Sequence, residues 1–226
     1  MEQRLRQLYP QVQRVYRVSN LAFMEIPASH EACARTRLLT VGFLSNISAS
    51  KGIFDFLDLV QAARSNGLPI QAKVAGPFED EGTARQFKRR CESLEGVEYL
   101  GPLYGSDKTD FFRSIDLLLF PTRYRNEAEP LVLYEALLLG APVIAYGRGA
   151  IREVLSDAVG VIIDPASSFV ETALPIVRAW FRDPELFKRM SETALSETVE
   201  AKREQDRYLR SLLTDIMGAH SHSQDA

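Results

Sequence analysis

Metal-ligating side chains are scarce in this chain, which holds two cysteines and three histidines in 226 residues. Cys33 and Cys91 show neither metal-like spacing nor a pairing pattern, so the sequence reads as a protein with reduced thiols and no disulfide framework. His220 and His222 lie in the polar end GAHSHSQDA, a composition that reads as a disordered tail over residues 218–226 rather than a metal site. An excess of positive charge is also missing: net charge is −3 and the pI is near 5.7, so nothing in the balance selects for nucleic acid. The cluster Arg85, Lys88, Arg89 and Arg90 falls at helical spacing and reads as a solvated face. No apolar run reaches the length of a membrane span, and MEQRLRQLYPQ carries charge where a signal peptide needs an apolar core. The expectation is therefore a cytoplasmic protein. Hydrophobic residues make up 46% and charged residues 25%, enough to build a substantial core.

What is present is a repeated alternation. After a short helix at Glu2–Leu8, stopped near Pro10, QVQRVYRV (Gln11–Val18) alternates polar and apolar and is expected as a strand. Residues Ser29 to Arg35 read as a loop. RLLTVGFL (Arg37–Leu44) reads as a buried strand, and GIFDFLDLVQAAR (Gly52–Arg64) as an amphipathic helix. The same pairing recurs in IQAKVAG with EDEGTARQFKRRCESL, then VEYLG with SDKTDFFRSI, whose Ser106 is the expected N-cap. DLLLFP with LVLYEALLLG, PVIAYG with AIREVLSD, and VGVII complete the series. Strands alternating with helices through short loops mean parallel βαβ units, hence an α/β doubly wound parallel sheet. The expected division is 1–20 as a leading helix and strand, 21–183 as a Rossmann-like domain, 184–217 as a helical extension and 218–226 as the tail.

In such a sheet ligands bind outside the carboxyl ends of the strands, where connections diverge. The loops at that edge are SNISASKG, the Gly76-Pro77 turn, GPLYGSD and TRYRNEAEP. Lys51 opens a helix, where the macrodipole disfavours a cation. It either points into water or joins the helix amides in an anion site, with Gly52 letting the backbone come close. Glu127 and Glu129 lie on the strand-to-helix loop, where an exposed acid is ordinary. Glu135 is less comfortable, being the only charge between Pro130 and Tyr146, and burying a carboxylate costs several kcal/mol unless it is hydrogen-bonded. It is either paired with a structural arginine such as Arg123 or Arg148, or grips a ligand rich in hydroxyls.

TVGFLSNISASKGIFDFL, VEYLGPLYGSDKTDFFRSIDLLLFPT, NEAEPLVLYEALLLGAPVIAY with its E-x₇-E spacing, and GAIREVLSDAVGVIIDP together resemble the C-terminal, donor-binding domain of family 4 (group 1) retaining glycosyltransferases of the GT-B fold. The resemblance runs from about Gln13 to Met217. It implies that Lys51 neutralises the donor diphosphate, Glu127 faces the transferred sugar and Glu135 holds the ribose hydroxyls. It further implies that Leu103 contacts the base largely through backbone, and that the Leu131 amide approaches the sugar and distal phosphate. Such enzymes are generally metal-independent and need no cofactor beyond the nucleoside-diphosphate sugar they consume. The implied partners are that donor, a glycan or lipid-linked acceptor at the inner membrane face, and an N-terminal GT-B domain supplied in trans or by the full-length protein. Polysaccharide biosynthesis is the implied setting.

Two positions depart from the family's pattern. Asn46 stands where an arginine is usual as a second phosphate ligand, and Glu129-Pro130 replaces phenylalanine-glycine, with proline removing one N–H. Two other readings stay open: a non-catalytic nucleotide-sugar-binding or protein-interaction module, and a fragment of a GT-B sugar-nucleotide epimerase.

Overall fold

Leu117 and Leu119 face one apolar cluster while Leu118 and Phe120 face another, the period-2 alternation of a strand with both faces covered. That strand, β4 (Leu117–Phe120), is fully buried, as is β5 (Val143–Tyr146). They lie in a six-stranded sheet with β1 (Thr40–Leu44), β2 (Gln71–Ala75), β3 (Val97–Tyr99) and β6 (Gly160–Ile163). All pairings are parallel, and the order is β3-β2-β1-β4-β5-β6. This is the doubly wound order in which the chain moves outward from the centre, returns, and moves outward the other way.

The computed structural model describes residues 2–12, 15–27, 34–156 and 158–221. They fall into two units, one within Met1–Met24 and Ala201–Ala226 and the other within Glu25–Glu200. In the first, α1 (Glu2–Leu8) precedes a 3-10 turn at Asn20–Phe23, capped by the Ser19 side chain on the Leu21 amide. Lys202, almost fully buried, pairs with Asp206 and donates to the Ala22 carbonyl. The second unit contains the sheet and its helices: α2 (Ile53–Ser65), α3 (Glu81–Glu92), α4 (Gly105–Arg113), α5 (Leu131–Leu138), α6 (Ile151–Val154) and α7 (Phe169–Arg182). The long helix α8 runs Pro184–Ser221. Phe56, Leu57 and Val60 of α2 and Val177 and Trp180 of α7 cover one sheet face. Phe111 and Phe112 of α4 and Leu133 and Leu137 of α5 cover the other.

The βα alternation follows the sequence reading, with differences at the edges. None of the described residues of the expected strand at Gln11–Val18 is in a strand, and residues 13 and 14 of it fall outside the described ones. Alternation describes a face and cannot by itself supply a neighbouring strand. Ser106 is not the N-cap of α4; Tyr104 is, with no side-chain cap, and Ser106 lies inside the helix. The buried strand begins at Thr40, later than Arg37, and α8 continues past Met217 to Ser221. Most of the loop expected at 29–35, Cys33, and residues 222–226 of the tail fall outside the described residues.

Candidate functional site

β1 and β4 are neighbours, yet the chain leaving β1 turns outward to β2 while that leaving β4 turns the other way to β5. Their following helices cover opposite sheet faces, so the loops between them diverge and leave a crevice at the carboxyl edge. The first loop, 45–52, is held from beneath: the Ile47 amide donates to the Pro77 carbonyl at 2.7 Å and the Ser45 amide to Ala75. Buried Ser48 accepts from the Lys51 amide and contacts the Ser50 hydroxyl.

The two loops are stitched together by backbone. The Arg123 amide donates to the Ser50 carbonyl at 2.8 Å. Gly52, the N-cap of α2, has φ +85, and a Cβ there would fall 2.0 Å from the Pro121 carbonyl oxygen. Only glycine meets both the left-handed conformation and the contact. Arg123 adds a bidentate ion pair to Asp55 in the first turn of α2, 2.8 and 2.9 Å, and donates to the Tyr146 hydroxyl. Asp55 raises the guanidinium's pKa through its hydrogen bonds and its charge. Tyr146 in turn donates to the Ser167 carbonyl, and burial pushes its phenol pKa up.

This stitching brings Lys51 and Glu127 together. Lys51 Nζ donates to Glu127 Oε2 at 2.8 Å, and the Thr122 hydroxyl donates to the same oxygen at 3.0 Å. The Lys51 ammonium also sits 4.5 Å from the centroid of the Tyr124 ring, a cation–π distance. Both charged side chains are largely enclosed, at 20% and 10% exposed. On the far side Gly149, at φ +52, packs where a Cβ would strike the Glu127 carbonyl at 1.8 Å. The Ala150 amide donates to Ala128, so the loop carrying Glu127 is clamped between the turns before α2 and α6.

Leu131 is the first residue of α5 and is half exposed, behind Pro130 as N-cap with no side-chain cap. The Leu131 and Val132 amides are first-turn donors with no intrahelical acceptor. Glu135 follows Leu131 by four residues and so lies one turn further along the same face. Its cation is Lys108 of α4, 2.7 Å from Oε2, rather than Arg123 or Arg148. That oxygen is buried, and the ammonium is what meets its charge. Glu129 is occupied differently, accepting from the Tyr134 hydroxyl.

Leu103 lies half-buried against the second apolar cluster. The loop before it is fixed by the Gly76 amide on the Gly101 carbonyl and by Tyr99 Oη on the Gly76 carbonyl. Leu100 and Leu103, with Asp107, Asp110, Phe111 and Ser114, line a shallow cleft of about 330 Å³. Asn46 is exposed at the start of the first loop. All six expected site residues thus lie on loops and helix starts that follow strands or, for Glu135, one turn within such a helix. Lys51 and Glu127 touch, while Glu135 is held by a residue the sequence did not single out. Thr122, Tyr124 and Arg123 sit inside a loop already of interest, but Lys108 carries no mark linking it to Glu135.

Comparison with known proteins bears on the family and the fold. A family model described as glycosyl transferases group 1 matches residues 31–197. Over 81 residues the chain is 36% identical to a phosphatidyl-myo-inositol mannosyltransferase of Propionibacterium freudenreichii, covering 36% of this chain and 19% of that one. Among solved structures, HepE of Anabaena with UDP-glucose superposes with a TM-score of 0.65 at 19% identity, covering 79% of this chain and 49% of HepE. TarM of S. aureus, in a complex with UDP, superposes with a TM-score of 0.70 at 17% identity, covering 94% and 42%. The chain spans half the length of these proteins or less. No helix among the described residues is long and apolar enough to cross a membrane. With the family model matched over most of its length, this chain belongs to the group 1 glycosyltransferases.

Proposed function

We propose that this chain is the donor-binding part of a retaining glycosyltransferase that takes a hexose from a nucleoside diphosphate to a glycan or lipid-linked acceptor. The observation that carries the reading is the convergence of Lys51 and Glu127 at the switch point, stitched by Gly52 and by the Arg123 amide. Lys51 meets the diphosphate. As the bond from the sugar C1 to the distal phosphate oxygen breaks, the electron pair stays on the diphosphate, and an ammonium fixed there stabilises the growing charge. C1 then bonds to the acceptor oxygen on the same face, and the acceptor proton ends on the departing diphosphate. Glu127 faces the sugar, its Oε2 already taken by Lys51 and Thr122. The Leu131 amide meets the sugar and distal phosphate, Leu103 the base, Asn46 the phosphates, and Glu135 the ribose. No step calls on a metal or a redox cofactor. The acceptor is held by a second, N-terminal Rossmann-like domain, and the protein works in the cytoplasm at the inner face of the membrane.

Calorimetry tests the site. Glu135→Ala is expected to weaken nucleoside-diphosphate binding about tenfold or more, the value of one or two hydrogen bonds to a charged group. Unchanged affinity would remove Glu135 from the site. A second reading, a binding module without turnover, is favoured by the uncharged Asn46 and by Pro130, which takes one amide from the phosphate-facing loop. Binding without turnover of any nucleoside-diphosphate hexose, once an acceptor-binding domain is supplied, would decide for it.

A further inference from the structure

Glu135 Oε2 is buried, and the Lys108 ammonium stands 2.7 Å from it. A buried carboxylate needs its charge met; Lys108 supplies that charge, and an ammonium's three N–H donors leave it others for a ligand. Both side chains keep partial access to solvent, 26% for Lys108 and 21% for Glu135. Lys108 belongs to the first turns of α4, which begins two residues after Leu103. The pair therefore joins the helix that follows the base-facing loop to the helix that carries the ribose-facing acid.

We infer that Lys108 is a specificity-determining residue that reads the nucleotide's ribose together with Glu135; the inference rests on the assignment of Glu135 to the ribose. A sugar hydroxyl is at once a donor and an acceptor. Glu135 supplies the acceptor for its O–H, and Lys108 supplies an N–H for its oxygen. A carboxylate alone satisfies half of each hydroxyl, whereas the ion pair satisfies both halves. With a deoxyribose the ion pair stays closed on itself and the nucleotide gains neither bond, so the pair adds to the preference for the hydroxyl. A lysine that served only the stability of the fold would affect ribo- and deoxyribonucleotides alike.

The test compares UDP, GDP and ADP with their 2′-deoxy and 3′-deoxy forms by calorimetry on the full chain and on Lys108→Met and Lys108→Arg. Native protein is expected to prefer the ribonucleotide at least tenfold over one deoxy form. Lys108→Met should cut that preference about threefold or more, and Lys108→Arg should restore most of it. If Lys108→Met weakens all nucleotides equally and leaves the ratio unchanged, Lys108 is structural and the inference is wrong. If Lys108→Met is too unstable to titrate, Lys108→Ala serves as the second variant under the same criterion. Should native protein bind nucleoside diphosphates without distinguishing deoxy forms, the ribose assignment of Glu135 fails first and this inference with it.

Discussion

Replacing Gly52 by alanine should both destabilise the protein and loosen the crevice. The residue sits at φ +85, where an L side chain costs about 1 kcal/mol. Its new Cβ would lie 2.0 Å from the Pro121 oxygen, against 3.4 Å or more for ordinary contact. The two loops would have to part by more than an ångström, and forcing a group into such a contact costs about 1–3 kcal/mol. The sum, about 3 kcal/mol, corresponds to a melting temperature about 6–12 °C lower for a chain of this size. Gly67, just past the other end of α2, provides the control. Its φ is +75 but nothing lies within 4 Å of its Cβ position, so Gly67→Ala should lose only about 2–4 °C. Thermal unfolding by circular dichroism measures both variants, and calorimetry with a nucleoside diphosphate reads the crevice. Gly52→Ala should bind more weakly because Lys51 is the adjacent residue, while Gly67→Ala should bind as the native protein does. Equal melting temperatures for the two variants would refute the claim that the β1 and β4 loops are pressed together at Pro121.

Restoring a cation on the first loop, Asn46→Arg, should tighten nucleoside-diphosphate binding about tenfold, the value of one charge-assisted contact; unaltered affinity by calorimetry would mean that this loop does not meet the phosphates. Tyr146→Phe removes the donor to the Ser167 carbonyl and the acceptor of Arg123, and a denaturant titration should show a loss of about 1–2 kcal/mol. Asp80 caps α3 through the Thr83 hydroxyl and amide, which hold its carboxyl below the usual range. A depressed folded pKa gives stability that is present above the unfolded value, near 3.8, and lost as pH falls through the folded one. Asp80→Asn keeps a capping oxygen but cannot titrate, so its acid unfolding curve should be flatter below pH about 4 than that of the native chain.

The sheet was legible because its central strands are short apolar runs followed by helical periodicity, and because turn residues such as Asn66-Gly67 punctuate the units. Lys51, Glu127 and Glu135 could be assigned to one edge from that alternation alone, since each follows a strand within a loop or a helical turn. Distances could not. Lys51 and Glu127 are 76 residues apart, and their contact depends on Gly52 pressing on Pro121, which sequence spacing does not encode. Lys108 was missed for the same reason: nothing local distinguishes a lysine on α4 that meets Glu135 from one that meets water. Arg123, one of the two arginines expected as a partner of Glu135, is drawn away by the bidentate geometry of Asp55. The Gln11–Val18 strand failed because alternation describes a face without supplying the neighbouring edge. Ser106 missed the cap of α4 because the cap lies two residues earlier, at Tyr104.

A crystal structure of the chain with a nucleoside diphosphate tests the central claim most directly. The account predicts the diphosphate in the crevice between the β1 and β4 loops, with Lys51 Nζ within hydrogen-bond distance of a phosphate oxygen. It also places the ribose hydroxyls on Glu135. A nucleotide bound away from the β1/β4 crevice, or one bound there with Lys51 still held only by Glu127 and making no phosphate contact, would contradict it.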